Sequence, residues 1–146
     1  MTTNFEIIET LQPILGNTFG GVFSKDQLAY KRPSGKAIIV NLQDSGGTGT
    51  HWTLVYDMPN ECIYYDSYGL TPPDEIRSFM SRARNKKLVY SDLQHQALES
   101  DWCGEFCCFV CVLLFRGFSY NQIATQILTD DIARNERLVA GFIKRD

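Results

Sequence analysis

The sequence predicts an α+β fold, a small mixed β-sheet packed against one central apolar helix. Three observations carry that reading. Gly104–Phe115 is too long and too apolar for an ordinary strand and suits a buried helix. Three short β-rich runs lie upstream: Ala37–Leu42 (AIIVNL), His51–Tyr56 (HWTLVY) and Cys62–Ser67 (CIYYDS). Helical spacing brackets these runs on both sides, giving the order helix, strands, helix, strand, helices.

Each element has its own signal. Asn4–Leu15 carries apolar residues at 5, 7, 8, 11, 14 and 15 and ends at Gly16. Ser24 can cap a short helical turn through Gln27. Tyr30–Lys36 (YKRPSGK) reads as a polar loop and Asp44–Thr50 (DSGGTGT) as a Gly/Ser/Thr loop. Met58–Glu61 is the turn between the second and third runs. Thr71-Pro72 marks a helix start, with the helix reaching about Arg84, and Leu88–Ser91 is a short strand. Gly117 stops the central helix. Ser119 caps Tyr120–Leu128, and Asp130 or Asp131 opens a last helix to Lys144.

The 146 residues are 44% hydrophobic and 12% aromatic, which supports a core and argues against disorder. With no repeat, low-complexity tract or linker, one domain over residues 1–146 is expected. A net charge of −3 supplies no general attraction to nucleic acid. Arg77, Arg82, Arg84, Lys86 and Lys87 form the one basic stretch, and such stretches are usually solvated helix ends. The longest apolar run, Phe106–Phe115, is half the roughly 20 residues a membrane span needs. Met1–Glu9 is too polar for a secretory leader.

Four of the five cysteines, Cys103, Cys107, Cys108 and Cys111, crowd onto the central helix, with Cys62 alone upstream. An odd, clustered set is a poor disulfide framework and suggests a reducing compartment. Cys103 precedes Gly104 at the helix start, where backbone N–H groups favour a thiolate and glycine admits a substrate backbone. Cys107, Cys108 and Cys111 read as packing residues. A zinc site is the rival explanation, but ligands on one helix cannot surround a metal tetrahedrally. Such a site would need Cys62 or a histidine as a distant ligand.

His51 opens a strand after the Gly-rich loop, at a sheet edge near solvent, which suits a general base better than His95. Asp66, at the end of the next strand, either orients His51 or caps the Ser67–Gly69 turn. Gln96, seven residues before Cys103, is either solvated loop surface or a donor to a developing oxyanion, with the Cys103 N–H as the second donor.

At these residues the chain resembles the adenovirus-type cysteine endopeptidases (adenain), and more widely the clan that includes the ubiquitin-like-protein (SUMO-type) proteases. The matching pieces are Gly49-Thr50-His51-Trp52, Tyr64-Tyr65-Asp66-Ser67-Tyr68-Gly69, and Gln96 with Cys103-Gly104-Glu105-Phe106-Cys107. Phe19-Gly20-Gly21-Val22-Phe23 and Ile38-Ile39-Val40-Asn41 look like the family's approach to its histidine. The likeness covers about two-thirds of the chain, Phe19–Gly117. Its motifs are individually short and specific in combination.

The resemblance implies a papain-like, adenain-like protease core with Cys103 as nucleophile, His51 as base, Asp66 orienting His51, and Gln96 donating to the oxyanion. Trp52 and Gly104 would bound a narrow substrate cleft that admits small residues, glycine above all, before the scissile bond. The compact form looks most like versions in virophages and Maverick/Polinton-type elements. That implies a monomeric capsid-maturation endopeptidase without metal or cofactor, acting in the virion and the infected-host cytoplasm. An isopeptidase for a ubiquitin-like modifier and an inactive binding module share these residues and stay open. There are departures. Adenain proper has a glutamate where Asp66 stands, the chain is much shorter, and the region after Gly117 does not match. Adenain is activated by a disulfide-linked peptide and DNA. No cysteine here, Cys62 included, matches its peptide-linking position, so any activating peptide is unknown, and the net charge disfavours DNA.

Overall fold

The apolar stripe of the N-terminal segment forms α1 (Asn4–Leu15) in the computed structural model, which describes residues 3–43 and 51–145. A capping box closes its first turn: Thr3 Oγ1 accepts from the Glu6 N–H, and the Glu6 carboxylate accepts from the Thr3 N–H. Ile7, Leu11 and Leu15 are its buried face. Gly16 ends it at φ 55°, a conformation glycine adopts without strain.

Phe19–Ser24 is a strand, β1, that no local signal marks. Gly20 and Gly21 lower strand propensity, yet the close pairing requires glycine. A Cβ on Gly20 would lie 2.7 Å from Ile38 Cγ2 of β2 (Ala37–Asn41), which runs parallel to β1. Ser24 then starts the expected turn, a 3-10 segment over Lys25–Leu28.

Three more strands complete the sheet: β3 (Trp52–Asp57), β4 (Glu61–Tyr65) and β5 (Lys87–Tyr90). The order is β1-β2-β3-β4-β5, with β2–β3 and β3–β4 antiparallel and the two outer pairs parallel. The sheet is therefore mixed, as predicted. Alternation sorts its side chains onto two faces. Ile39, Trp52, Leu54, Ile63 and Tyr65 join the larger core with α1 and α3 (Cys103–Phe115). Ile38, Val55, Cys62 and Tyr64 join a smaller core with α2 (Asp74–Ser81). Covering both faces explains why β2 and β3 are buried throughout.

Several boundaries differ from expectation. The α2 helix starts at Asp74 rather than Pro72, because a residue before proline is pushed out of the helical region and Pro73 is extended. It ends at Ser81, after which Arg82 donates to the Lys31 and Leu28 carbonyls and Asn85 takes a positive φ. The segment after Ser119 is not one α-helix: α4 (Tyr120–Gln122) passes into a π-helical stretch, Ile123–Ile127. The Asp131 carboxylate accepts from the Arg134 N–H at the start of α5 (Ile132–Arg145). Phe142 of α5 meets Phe109 of α3 edge-on at 5.6 Å. The Asp44–Thr50 loop, with Gly49 and Thr50 of the first motif, lies outside the described residues. No described helix is long and apolar enough to cross a membrane.

Candidate active site

The β3–β4 hairpin creates the first half of the site. β3 is the central strand, so His51 sits at a strand end and not at the sheet edge that the sequence suggested. Its side chain is 16% exposed, and Nε2 lies 3.1 Å from Asp66 Oδ1. Asp66 follows the last residue of β4 and is wholly buried. The same Oδ1 accepts from the Tyr68 N–H at 2.8 Å, and the Asp66 carbonyl accepts from the Gly69 N–H. Thus the two sequence readings of Asp66, histidine partner and turn cap, are both realised by one carboxylate.

α3 supplies the second half. Cys103 is its first residue and 3% exposed. Its sulfur accepts from the Trp52 N–H at 3.4 Å, and the Cys107 thiol one turn later donates to the Trp52 carbonyl at 3.4 Å. Two cysteines thereby fix the start of β3 against the start of α3. The opposing groups of His51 respond to that junction. Burial opposes charge on the ring, but the Asp66 contact, Cys103 and their negative charges together raise its pKa to about 9. His51 Nδ1 is buried without a hydrogen-bond partner among the described residues.

The Ser91–Trp102 segment brings in Gln96, which is fully buried and not solvated loop surface. Its backbone N–H and that of His95 donate to the Ser67 carbonyl, and the Ser67 hydroxyl donates to Gln96 Oε1. Gln96 Nε2 donates to the Ser100 carbonyl at 2.8 Å and to Ser100 Oγ at 3.2 Å. The amide nitrogen is thus engaged by the loop leading into Cys103.

Tyr68 is the residue the sequence left without a role. Its ring stacks on His51, with centroids 4.7 Å apart and planes 12° from parallel. Its hydroxyl donates to the same Ser100 carbonyl that Gln96 holds. Burial first, and then the negative charges of Cys103, Asp66, Asp101 and Glu99, raise its pKa. The signal was present in the hairpin: extending the Leu54–Tyr65 pairing by three residues sets position 68 opposite position 51.

Trp52 is 4% exposed and packs in the α3-side core, while its backbone N–H and carbonyl meet the thiols of Cys103 and Cys107. Gly104 is buried in the first turn of α3. Buried His95 lies between the Tyr65 hydroxyl and the Ala124 carbonyl, and burial lowers its pKa despite the Ala124 contact. It ties the loop to the π-helical stretch. None of the five cysteines forms a disulfide among the described residues. Cys62 belongs to the opposite face of the sheet from Cys107, which removes it as a distant zinc ligand for the helix cluster. Among the described residues no group of three or more His, Cys, Asp or Glu is placed to hold a metal.

No family model and no curated protein matches the chain. Solved structures do. Two crystal structures of the ASFV pS273R protease, one of them the selenomethionine form, match at a TM-score of 0.67 and 22% sequence identity. The fold is shared with a protease. The match covers 94% and 92% of this chain, whereas the chain spans only 66% and 65% of those proteases. The α+β architecture, with its mixed sheet and central helix, is therefore one that a protease uses as its core.

Proposed function

We propose that the protein is a cysteine endopeptidase with Cys103 as nucleophile and His51 as acid–base. The observation that supports this most directly is the junction at Trp52. There a thiol at a helix start receives a backbone N–H beside a histidine held by a buried aspartate. A His51 pKa of about 9 favours imidazolium at neutral pH, which is the partner a Cys103 thiolate needs. The thiolate adds to the substrate carbonyl carbon. The Cys103 N–H and the Gln96 amide stabilise the oxyanion. The C–N bond breaks as His51 gives its proton to the leaving nitrogen. Water, deprotonated by His51, then hydrolyses the thioester, releasing the Cys103 thiolate beside the restored imidazolium.

The resemblance to the adenain group supports a narrower reading. In it the substrates are viral capsid or core precursors cut after glycine-type residues, by a monomer that needs no metal and works in the virion and infected cytoplasm; the net charge of −3, and not the resemblance, argues against a DNA activator. Cleavage of glycine-containing peptides, followed by mass spectrometry, tests the reaction. Cys103→Ala and His51→Ala should each abolish cleavage with an unchanged circular dichroism spectrum. Normal turnover by Cys103→Ala would sink the assignment. Faster reaction of Cys103 with a probe built on a ubiquitin-like C-terminus than with the peptides would move the substrate to the isopeptidase class.

A further inference from the structure

On the face of the sheet away from α3, a cavity of about 210 Å³ opens beside the 30–36 loop. Its floor is apolar: Phe23 of β1, Ile38 of β2, Val55 of β3 and Phe79 of α2. Its wall carries three exposed cations, Lys31, Arg32 and Lys36. The cavity is no part of the cysteine site. Ile38 and Val55 pair three rungs from Asn41 and Trp52, about 10 Å along the strands, and on the other side of the sheet.

The wall is built in advance. Arg82 Nη1 donates to the Lys31 carbonyl at 2.7 Å, and the Gly35 N–H donates to Asp57 Oδ2 at 2.7 Å. Asp57, the one carboxylate lining the cavity among the described residues, is neutralised by Lys86 at 2.6 Å on its other oxygen. It therefore leaves the cations unbalanced. None of Lys31, Arg32 and Lys36 has an ion pair among the described residues; Lys31 Nζ lies 4.7 Å over the Phe23 ring. A group of three cations with no ion pair among the described residues is unexpected on a chain of net charge −3. It stands around an apolar hole of side-chain size.

We infer that this cavity is a docking site for an acidic peptide segment that buries one large apolar side chain on the Phe23–Phe79 floor. The flanking carboxylates meet Lys31, Arg32 and Lys36. A peptide fits better than a nucleotide, because a base needs an open aromatic face to stack on: Lys31 Nζ stands over the Phe23 ring and Phe79 is buried. Electrostatics sets the approach and the apolar side chain sets the residence.

The test uses fluorescence anisotropy with fluorescein-labelled Gly-Asp-Glu-Phe-Asp-Glu-Gly and the full chain. Saturable binding is expected, with shifts of the Ile38 and Val55 methyl resonances. It should weaken by about tenfold or more in the Lys31→Glu/Arg32→Glu/Lys36→Glu variant, and similarly when serine replaces the peptide phenylalanine. These positions are exposed, and circular dichroism checks that the variant folds. Three results would overturn the inference: no binding at millimolar peptide, equal binding of a peptide with lysines for its acids, or tighter binding of a single-stranded oligonucleotide through the same residues. None depends on peptidase activity, so the docking site and the proposed reaction stand or fall separately.

Discussion

At the scale of single residues, His51 sets the pH behaviour. Burial lowers its pKa, and Asp66 and Cys103 more than reverse that, to about 9. A raised histidine pKa gives stability that is complete below the ordinary value of 6.5 and lost as pH rises through about 9. The proposed reaction also needs the imidazolium, so kcat/KM should fall along an alkaline limb near 9. Asp66→Asn and Cys103→Ser should each move the His51 ring titration downward by NMR. An unmoved titration in both would mean that neither group acts on the ring. Gln96 belongs to this scale too. Its amide nitrogen is held by Ser100 beside the helix start. Gln96→Ala should lower kcat by about 10²–10³ while KM changes little, because the oxyanion exists only in the transition state. An unchanged kcat would leave Gln96 as a loop tie alone.

At the scale of elements, the turn after β4 organises the site. Asp66 holds His51, Ser67 holds Gln96, Tyr68 covers the imidazole, and Gly69 lets the turn close on the neighbouring loop. Gly69 has φ +79°, and a Cβ there would lie 2.7 Å from the Leu93 carbonyl carbon. Backbone cannot yield as a flexible side chain does. Gly69→Ala should therefore cost about 1–3 kcal/mol in urea denaturation and reduce turnover as well, since the same turn carries Asp66 and Tyr68. Wild-type stability in that variant would show that the turn relaxes freely.

At the scale of the whole molecule, the two-faced sheet divides the cysteines. Cys103, Cys107, Cys108 and Cys111 lie in the α3-side core and Cys62 in the α2-side core. Burial pushes the Cys62 pKa up to about 12 and those of Cys107 and Cys111 well above the ordinary thiol range. Cys103 alone pairs with a histidine charge. Iodoacetamide on the native protein should label Cys103 well below pH 8 and leave the other four until denaturant is added, as read by peptide mass spectrometry. Equal labelling of all five in the native state would contradict this layering.

Local rules were enough for much of this protein. Helical spacing and Gly16 delimited α1, apolar length gave α3, and β-rich alternation gave three central strands, because those signals act within one turn or one strand pair. His51, Asp66, Gln96 and Cys103 were likewise legible as candidates from their types and order along the chain. What the sequence could not supply required partners distant along the chain. Gly20 and Gly21 make a strand only because β2 lies against them. Gln96 is buried because Ser67 and Ser100 take up its polar groups. Tyr68 acquires a role because hairpin register returns it to His51, and the Trp52 peptide group matters because α3 presents two thiols to it. Residue types and local periodicity are set by short-range sterics and propensity. Burial, hydrogen-bond satisfaction and pKa are set by neighbours that only tertiary packing brings together.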